Sequence, residues 1–307
     1  MKLYLIAESD ELCRHLPGDR ARLMFRSHHS DTEPFRRTWM NAATSLLLAS
    51  TLTIAVTTSI AQPPSAKQQT PAAPQPIEPI YTTPTAALTT QQVTTLQHLA
   101  ADWPQLNRYR ADNAKLSPPT EGESRVVFYG DSITDNWGRY IPVPFFPDKP
   151  YINRGISGQT TAQMVVRFHQ DVIDLSAAAV LILAGTNDLA GNTGLSSLQM
   201  IEDNMQSMCE LAKTHNIRVI LASVLPVNDY PWRRGLHPAD EVRTLNNWIK
   251  DYARANGLIY LDYYAAMANA QGGLDPSISL DGVHPNAAGY AIMAPLADKA
   301  IQQAIAK

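Results

Sequence analysis

Five short apolar runs, each followed by a helix-like stretch or a polar loop, constrain this chain more than any other feature. They are Val126–Tyr129, Tyr151–Asn153, Ala179–Ala184, Arg218–Val224 and Leu258–Asp262. They are short, apolar and β-branched, so they read as strands buried on both faces. Helical patterns occupy Thr161–Ile173, Ser197–His215 and Ala239–Asn256, and a last helix is predicted over Asn286–Gln303. Asn216 and Gly257 stand where two of these helices must stop. An earlier helical stretch, Gln91–Leu116, is interrupted near Pro104. Such alternation predicts an α/β fold with a parallel sheet covered by helices on both sides. Right-handed crossovers then bring every strand's C-terminal end to one edge, where ligands bind.

The chain divides into three parts on composition. Arg36 and Arg37 precede an uncharged segment, Asn41–Ser59, with Leu46–Leu48 and Ile54–Val56 at its apolar centre. Ser59 and Ala61 are small residues at the positions that determine cleavage. Residues 1–61 therefore read as a signal peptide with a long N-terminal lead, and Met24 and Met40 compete with Met1 as the start. The segment is also about long enough to be a retained anchor, the alternative to cleavage. Residues 62–90 carry Pro63, Pro64, Pro71, Pro74, Pro76, Pro79 and Pro84 and read as a tether. Residues 91–307 form the predicted catalytic domain.

Export to the periplasm or the exterior is the expectation, with no stable membrane insertion once the leader is removed. A net charge of −3 and no basic cluster argue against nucleic acid as a partner. Cys13 lies ahead of the cleavage point, so Cys209 is the single thiol of the mature chain and reads as a small buried residue.

Three polar segments sit at the ends of these elements. Gly130-Asp131-Ser132 follows the first strand, Gly185-Thr186-Asn187-Asp188 the third, and Asp281-Gly282-Val283-His284 precedes the final helix. A serine hydroxyl is a poor nucleophile until a base takes its proton. Asp281 and His284, three apart in one loop, can set a carboxylate against one imidazole nitrogen and leave the other facing Ser132. Pro285 suits a first helical turn and would put His284 at the start of the last helix. Asn187 can offer an amide N–H to a tetrahedral oxyanion, beside the backbone N–H of Ser132 and of a glycine after the second strand. Gly158 is the candidate and Gly155 the competitor. Ser132 could also serve merely as a helix cap.

Taken together, these segments make the chain resemble the SGNH, or GDSL-type, hydrolases over about residues 120–305. That family is marked by a Gly-Asp-Ser segment, a glycine after the second strand, Gly-x-Asn-Asp and Asp-x-x-His, in this order. Ile133 stands where the family-naming leucine falls. The resemblance implies a three-layer α/β/α sandwich, flavodoxin-like, with five parallel strands in the order 2-1-3-4-5. It implies Ser132 as nucleophile, His284 as base, Asp281 as its orienter, and Ser132, Gly158 and Asn187 as oxyanion donors. No metal or other cofactor is called for, and His169, His215 and His237 show no metal-ligand spacing.

The substrate is read from the loops. Tyr230, Trp232, Arg233 and Arg234 follow the fourth strand and are candidates for contacts with a sugar or an acyl group. Trp137, Tyr140, Phe145 and Phe146, within Trp137–Pro147, are candidates for a second rim. A polar and aromatic rim favours short acyl esters, acetyl above all, on carbohydrate or a small alcohol. The alternative is a lysophospholipase or thioesterase-type acylhydrolase.

Overall fold

A computed structural model describes residues 89–306. The expected leader and nearly all of the tether lie outside the described residues. The domain opens with α1 (Thr90–Ala101), started by a reciprocal capping box between Thr89 and Gln92. After a short α2 (Arg110–Asn113), five strands follow: β1 (Val126–Gly130), β2 (Tyr151–Gly155), β3 (Ala179–Leu183), β4 (Arg218–Ala222) and β5 (Ile259–Leu261). All pair in parallel in the order β2-β1-β3-β4-β5. The remaining helices are α3 (Ser132–Asp135), α4 (Thr161–Phe168), α5 (Thr186–Leu189), α6 (Leu198–Thr214), α7 (Ala239–Ala255), α8 (Tyr263–Met267) and α9 (Ala287–Ile305).

Successive strand side chains point to opposite faces, so each central strand feeds two cores. Val127, Tyr129, Val180, Ile182, Val219 and Leu221 pack with buried residues of α4, α6 and α7. Val126, Phe128, Ala179, Leu181, Leu183 and Ile220 pack with α8 and α9 on the other face. This is the three-layer sandwich. The central β1 and β3 are buried along their whole length, whereas the edge strands β2 and β5 are only partly covered. Position in the sheet, rather than composition, accounts for that difference. Asn216 and Gly257 both take positive φ, 58° and 67°, and end α6 and α7 as expected.

Three local expectations are corrected. The Thr161–Ile173 helix is not one continuous α-helix: α4 ends at Phe168 and a π-helical turn, His169–Ile173, follows. The last helix begins at Ala287 and is capped by Asn286, which accepts from the N–H groups of Ala288 and Gly289. His284 therefore precedes the helix instead of starting it. The Trp137–Pro147 aromatics do not make a rim. Trp137, Phe145 and Phe146 stack edge-on or tilted about Phe128 with centroids 5.0–5.8 Å away, and only Tyr140 points out, 64 % exposed. The aromatic area is worth more against the underside of β1 than in water. Cys209 is buried on α6 among core residues, and burial pushes its thiol up to about 12.

Candidate active site

The sheet delivers three loops to its C-terminal edge. β1 runs directly into α3 because Gly130 has no side chain: a Cβ there would collide with Thr134 and with the Leu183 carbonyl. Asp131 caps α3 by accepting from the Ile133 N–H at 2.9 Å, so the cap is Asp131 and not Ser132. Ser132 is left as the first helical residue, with its hydroxyl free for other partners. β3 turns into α5 through Gly185 at φ 111°, a conformation open to glycine, and this sets Asn187 and Asp188 at the same edge. The third loop is held by itself. Ser279 Oγ accepts from the Gly282 N–H at 2.8 Å and donates to the His284 carbonyl at 3.1 Å, and Ser279 bridges to Pro285.

These loops bring the predicted residues together. Ser132 Oγ lies 2.9 Å from His284 Nε2, and His284 Nδ1 lies 2.8 Å from Asp281 Oδ2. The other Asp281 oxygen accepts from the backbone N–H groups of His284 at 2.8 Å and Val283 at 3.0 Å. Burial works against the Asp281 charge, but these bonds and the imidazole outweigh it and hold the carboxyl below its usual range. An ionised Asp281 accepts a hydrogen bond from Nδ1–H and so keeps the proton on Nδ1, which leaves Nε2 as an acceptor for the serine O–H. An imidazole so oriented can remove that proton.

A cleft of about 310 Å³ opens above the pair, lined by Ser132, Asn136, Ser157, Gly158, Asn187, Asn192, Trp232 and His284. Gly158 is at φ 80° on the loop after β2. The competing Gly155 lies at the end of β2, where its carbonyl accepts from Tyr109 and a Cβ would strike the backbone of Asp135. It is not in the cleft lining. Asn187 donates through Nδ2 to the Gln159 carbonyl at 2.9 Å and is almost fully buried.

The candidate substrate residues separate. Trp232 lines the cleft, 46 % exposed, with its ring centroid 6.0 Å from that of His284. Tyr230 is fully buried and its hydroxyl meets Thr186, so it supports the floor and offers nothing to a ligand. Arg233 turns back to donate to the Ala190 carbonyl, and Arg234 pairs with Asp229 at 3.6 Å. Neither lines the cleft. Asn136, Ser157 and Asn192 line it and were missed by sequence reasoning. Only Asn192 carried a signal, a polar residue following a glycine just past the Gly-Thr-Asn-Asp segment. A larger hollow of about 440 Å³, lined by Lys213, Arg218, Gly257 and Ala304 among others, is remote from the serine–imidazole pair.

Two buried carboxyls flank the site. Burial pushes both Asp131 and Asp188 up to about 6, against hydrogen bonds from Ile133 and Thr161 that pull the other way. Asp131 Oδ2 has no partner among the described residues. A raised folded-state value means the fold prefers the neutral acid. That contribution is complete below about pH 4 and is lost as pH rises through 6. Asp131→Asn keeps an acceptor for the Ile133 N–H and removes the charge. The variant should match the parent in denaturant melts near pH 4 and exceed it at pH 8 by up to about 3 kcal/mol. Equal stability at both pH values would show that Asp131 is not charged at a cost.

Residues 128–292 match the model of the GDSL-like lipase/acylhydrolase family, more than half of the chain, and the chain belongs to that family. It is thus a hydrolase of ester bonds. The chain is similar to the crystal structure of a GDSL-like lipase from Bacteroides thetaiotaomicron VPI-5482, 45 % identical, covering 66 % of this chain and 99 % of that one, with a TM-score of 0.63. A Bacteroides fragilis NCTC 9343 protein assigned as an acylhydrolase is 43 % identical over 66 % of this chain and 98 % of its own, with a TM-score of 0.64. A Bacillus subtilis (strain 168) protein, the uncharacterized lipoprotein YqeF, is 29 % identical over 123 residues. That match spans 34 % of this chain and half the length of the relative.

Proposed function

We propose that this chain is an exported serine esterase that removes short acyl groups, acetyl first, from carbohydrate or small-alcohol esters. Ser132 attacks the acyl carbonyl while His284 takes its proton, and Asp281 holds the imidazole in the required tautomer. The backbone N–H groups of Ser132 and Gly158 and the Asn187 amide receive the oxyanion. The alcohol leaves with the proton from His284, and water then releases the acid from Ser132 by the same steps.

The observation that carries this reading is the cleft wall. An unbroken carboxylate–imidazole–hydroxyl chain opens onto Gly158, serine and asparagine side chains and the Trp232 ring, with no aliphatic residue among those lining the cleft. A long acyl chain would find no aliphatic side chain along this wall, only the Trp232 ring at the mouth, and so little to bury its further methylenes against. The exposed indole of Trp232 offers a flat apolar face of the kind that sugar rings cover. Export is supported by the Asn41–Ala61 leader pattern and by the lipoprotein name of the Bacillus subtilis relative.

Comparison of nitrophenyl acetate with nitrophenyl octanoate tests the substrate class. The acetate is expected to lead in kcat/KM by roughly tenfold or more, since no aliphatic side chain lines the cleft to hold the extra methylenes. A preference for octanoate would replace this reading with the lysophospholipase or thioesterase alternative.

A further inference from the structure

A chain of side-chain hydrogen bonds runs from the mouth of the cleft to the Asn187 amide, and its direction is fixed at both ends. The Gln159 carbonyl can only accept, so Asn187 presents Nδ2 to it, at 2.9 Å. Asn187 Oδ1 must then face the other way, and Asn192 Nδ2 donates to it at 2.7 Å. This leaves Asn192 Oδ1 pointing outward. There it meets the indole Nε1–H of Trp232, a group that can only donate, at 3.0 Å. No amide in the chain can rotate by half a turn without setting like against like. The Asn192 amide also reaches the Gly158 carbonyl at 3.5 Å, so it touches the loops that carry both Gly158 and Asn187. Its backbone N–H donates to the Asn187 carbonyl at 3.0 Å, which fixes where the side chain starts.

We infer that Asn192 is a positioning residue for ester hydrolysis, locking the Asn187 amide with one N–H aimed into the cleft, and that the Trp232 indole N–H in turn orients Asn192. The inference rests on Asn187 acting as an oxyanion donor. Asn187 Nδ2 has two hydrogens, and the Gln159 carbonyl takes one of them. The second is useful only if the amide plane is held. A lone bond to Gln159 leaves the amide free to rock about that contact, whereas the second bond at Oδ1 removes the freedom before substrate arrives. Preorganisation of this kind acts on the transition state more than on substrate affinity.

The test is a set of variants assayed on an acetyl ester, with kcat and KM measured separately and folding checked by thermal melts. Asn187→Ala should lower kcat by roughly 10²–10³-fold. Asn192→Ala should lower kcat about tenfold with KM changed less than about twofold. Added to Asn187→Ala, it should cost nothing further, because the group it steadies is gone. Trp232→Phe keeps an aromatic ring at the mouth and deletes the N–H. It should lower kcat a few-fold and likewise add nothing to Asn192→Ala.

If Asn187→Ala is severe but Asn192→Ala and Trp232→Phe leave kcat unchanged, Asn192 does not position the amide. Losses that multiply in the double variants would overturn the inference equally. Near-normal turnover by Asn187→Ala itself removes the oxyanion role, and the inference goes with it. Trp232 is half exposed, so its variant carries the test even where Asn192→Ala lowers the melting temperature.

Discussion

Ser132→Ala is expected to lower ester turnover by roughly five to six orders of magnitude while the protein stays folded. The hydroxyl has a single side-chain partner, His284 Nε2, whereas the other serine of the cleft, Ser157, donates its hydroxyl to Asp135 at 2.7 Å and is not paired with the imidazole. Removing Oγ leaves the surrounding structure intact. α3 is capped by Asp131, and His284 keeps Asp281 through both its ring and its backbone N–H. The melting curve should therefore move by no more than about 1 kcal/mol. Two measurements check this. Steady-state assays on nitrophenyl acetate read the turnover. A fluorophosphonate probe, which phosphonylates an activated serine, should add one adduct to the parent and none to the variant. A variant with near-normal activity would mean that another group carries the attack, and the mechanism proposed for Ser132 would fail.

The second large effect is on stability. Arg167→Ala should destabilise the domain by about 3–5 kcal/mol in denaturant melts. Arg167 and Asp171 are both fully buried and pair at 3.1 Å along one helical stretch. The guanidinium also donates to the carbonyls of Gly130 at 3.0 Å and Arg154 at 2.9 Å and to the Gln159 side chain, and it lies 4.2 Å from the centre of the Tyr129 ring. Truncation strands a carboxylate and several acceptors away from water, and Asn113 remains to Asp171 as a single donor. Domains of this kind are stable by only about 5–15 kcal/mol in total, so the loss is a large share. Removing Asp171 as well, with Asp171→Ala, should recover part of it, because the uncompensated charge is then gone. A change below about 1 kcal/mol for Arg167→Ala would show that water reaches the pair.

Arg167 also shows where reading the sequence stops. An Arg and an Asp four apart on a helical pattern look like a solvated surface pair. Burial of the pair depends on Gly130, Arg154 and Gln159, which belong to three other segments, and no local pattern reports that. The same limit explains Tyr230, Phe145 and Phe146. An aromatic residue in a loop after a strand carries the same signal whether it turns inward or outward. By contrast, the strands were legible because both faces are buried and the apolar runs have no polar alternation. The 2-1-3-4-5 order was not in that pattern; it came from the resemblance carried by the Gly-Asp-Ser, Gly-x-Asn-Asp and Asp-x-x-His segments. The placement of Ser132, Asn187, Asp281 and His284 at element ends was legible for the same reason. What those segments could not reveal was the support around them: Asp131 as the cap, Asn192 beside Asn187, and the self-bonded Ser279–Pro285 loop.

The concealed Cys209 sulfur has a practical corollary. A thiol that is scarcely acidic and shut inside α6 packing is inert toward alkylating reagents until the surrounding helices part. Among residues 89–306 it is the single cysteine, so its rate of trapping by a reagent reads how often that half of the sandwich opens, with no label introduced.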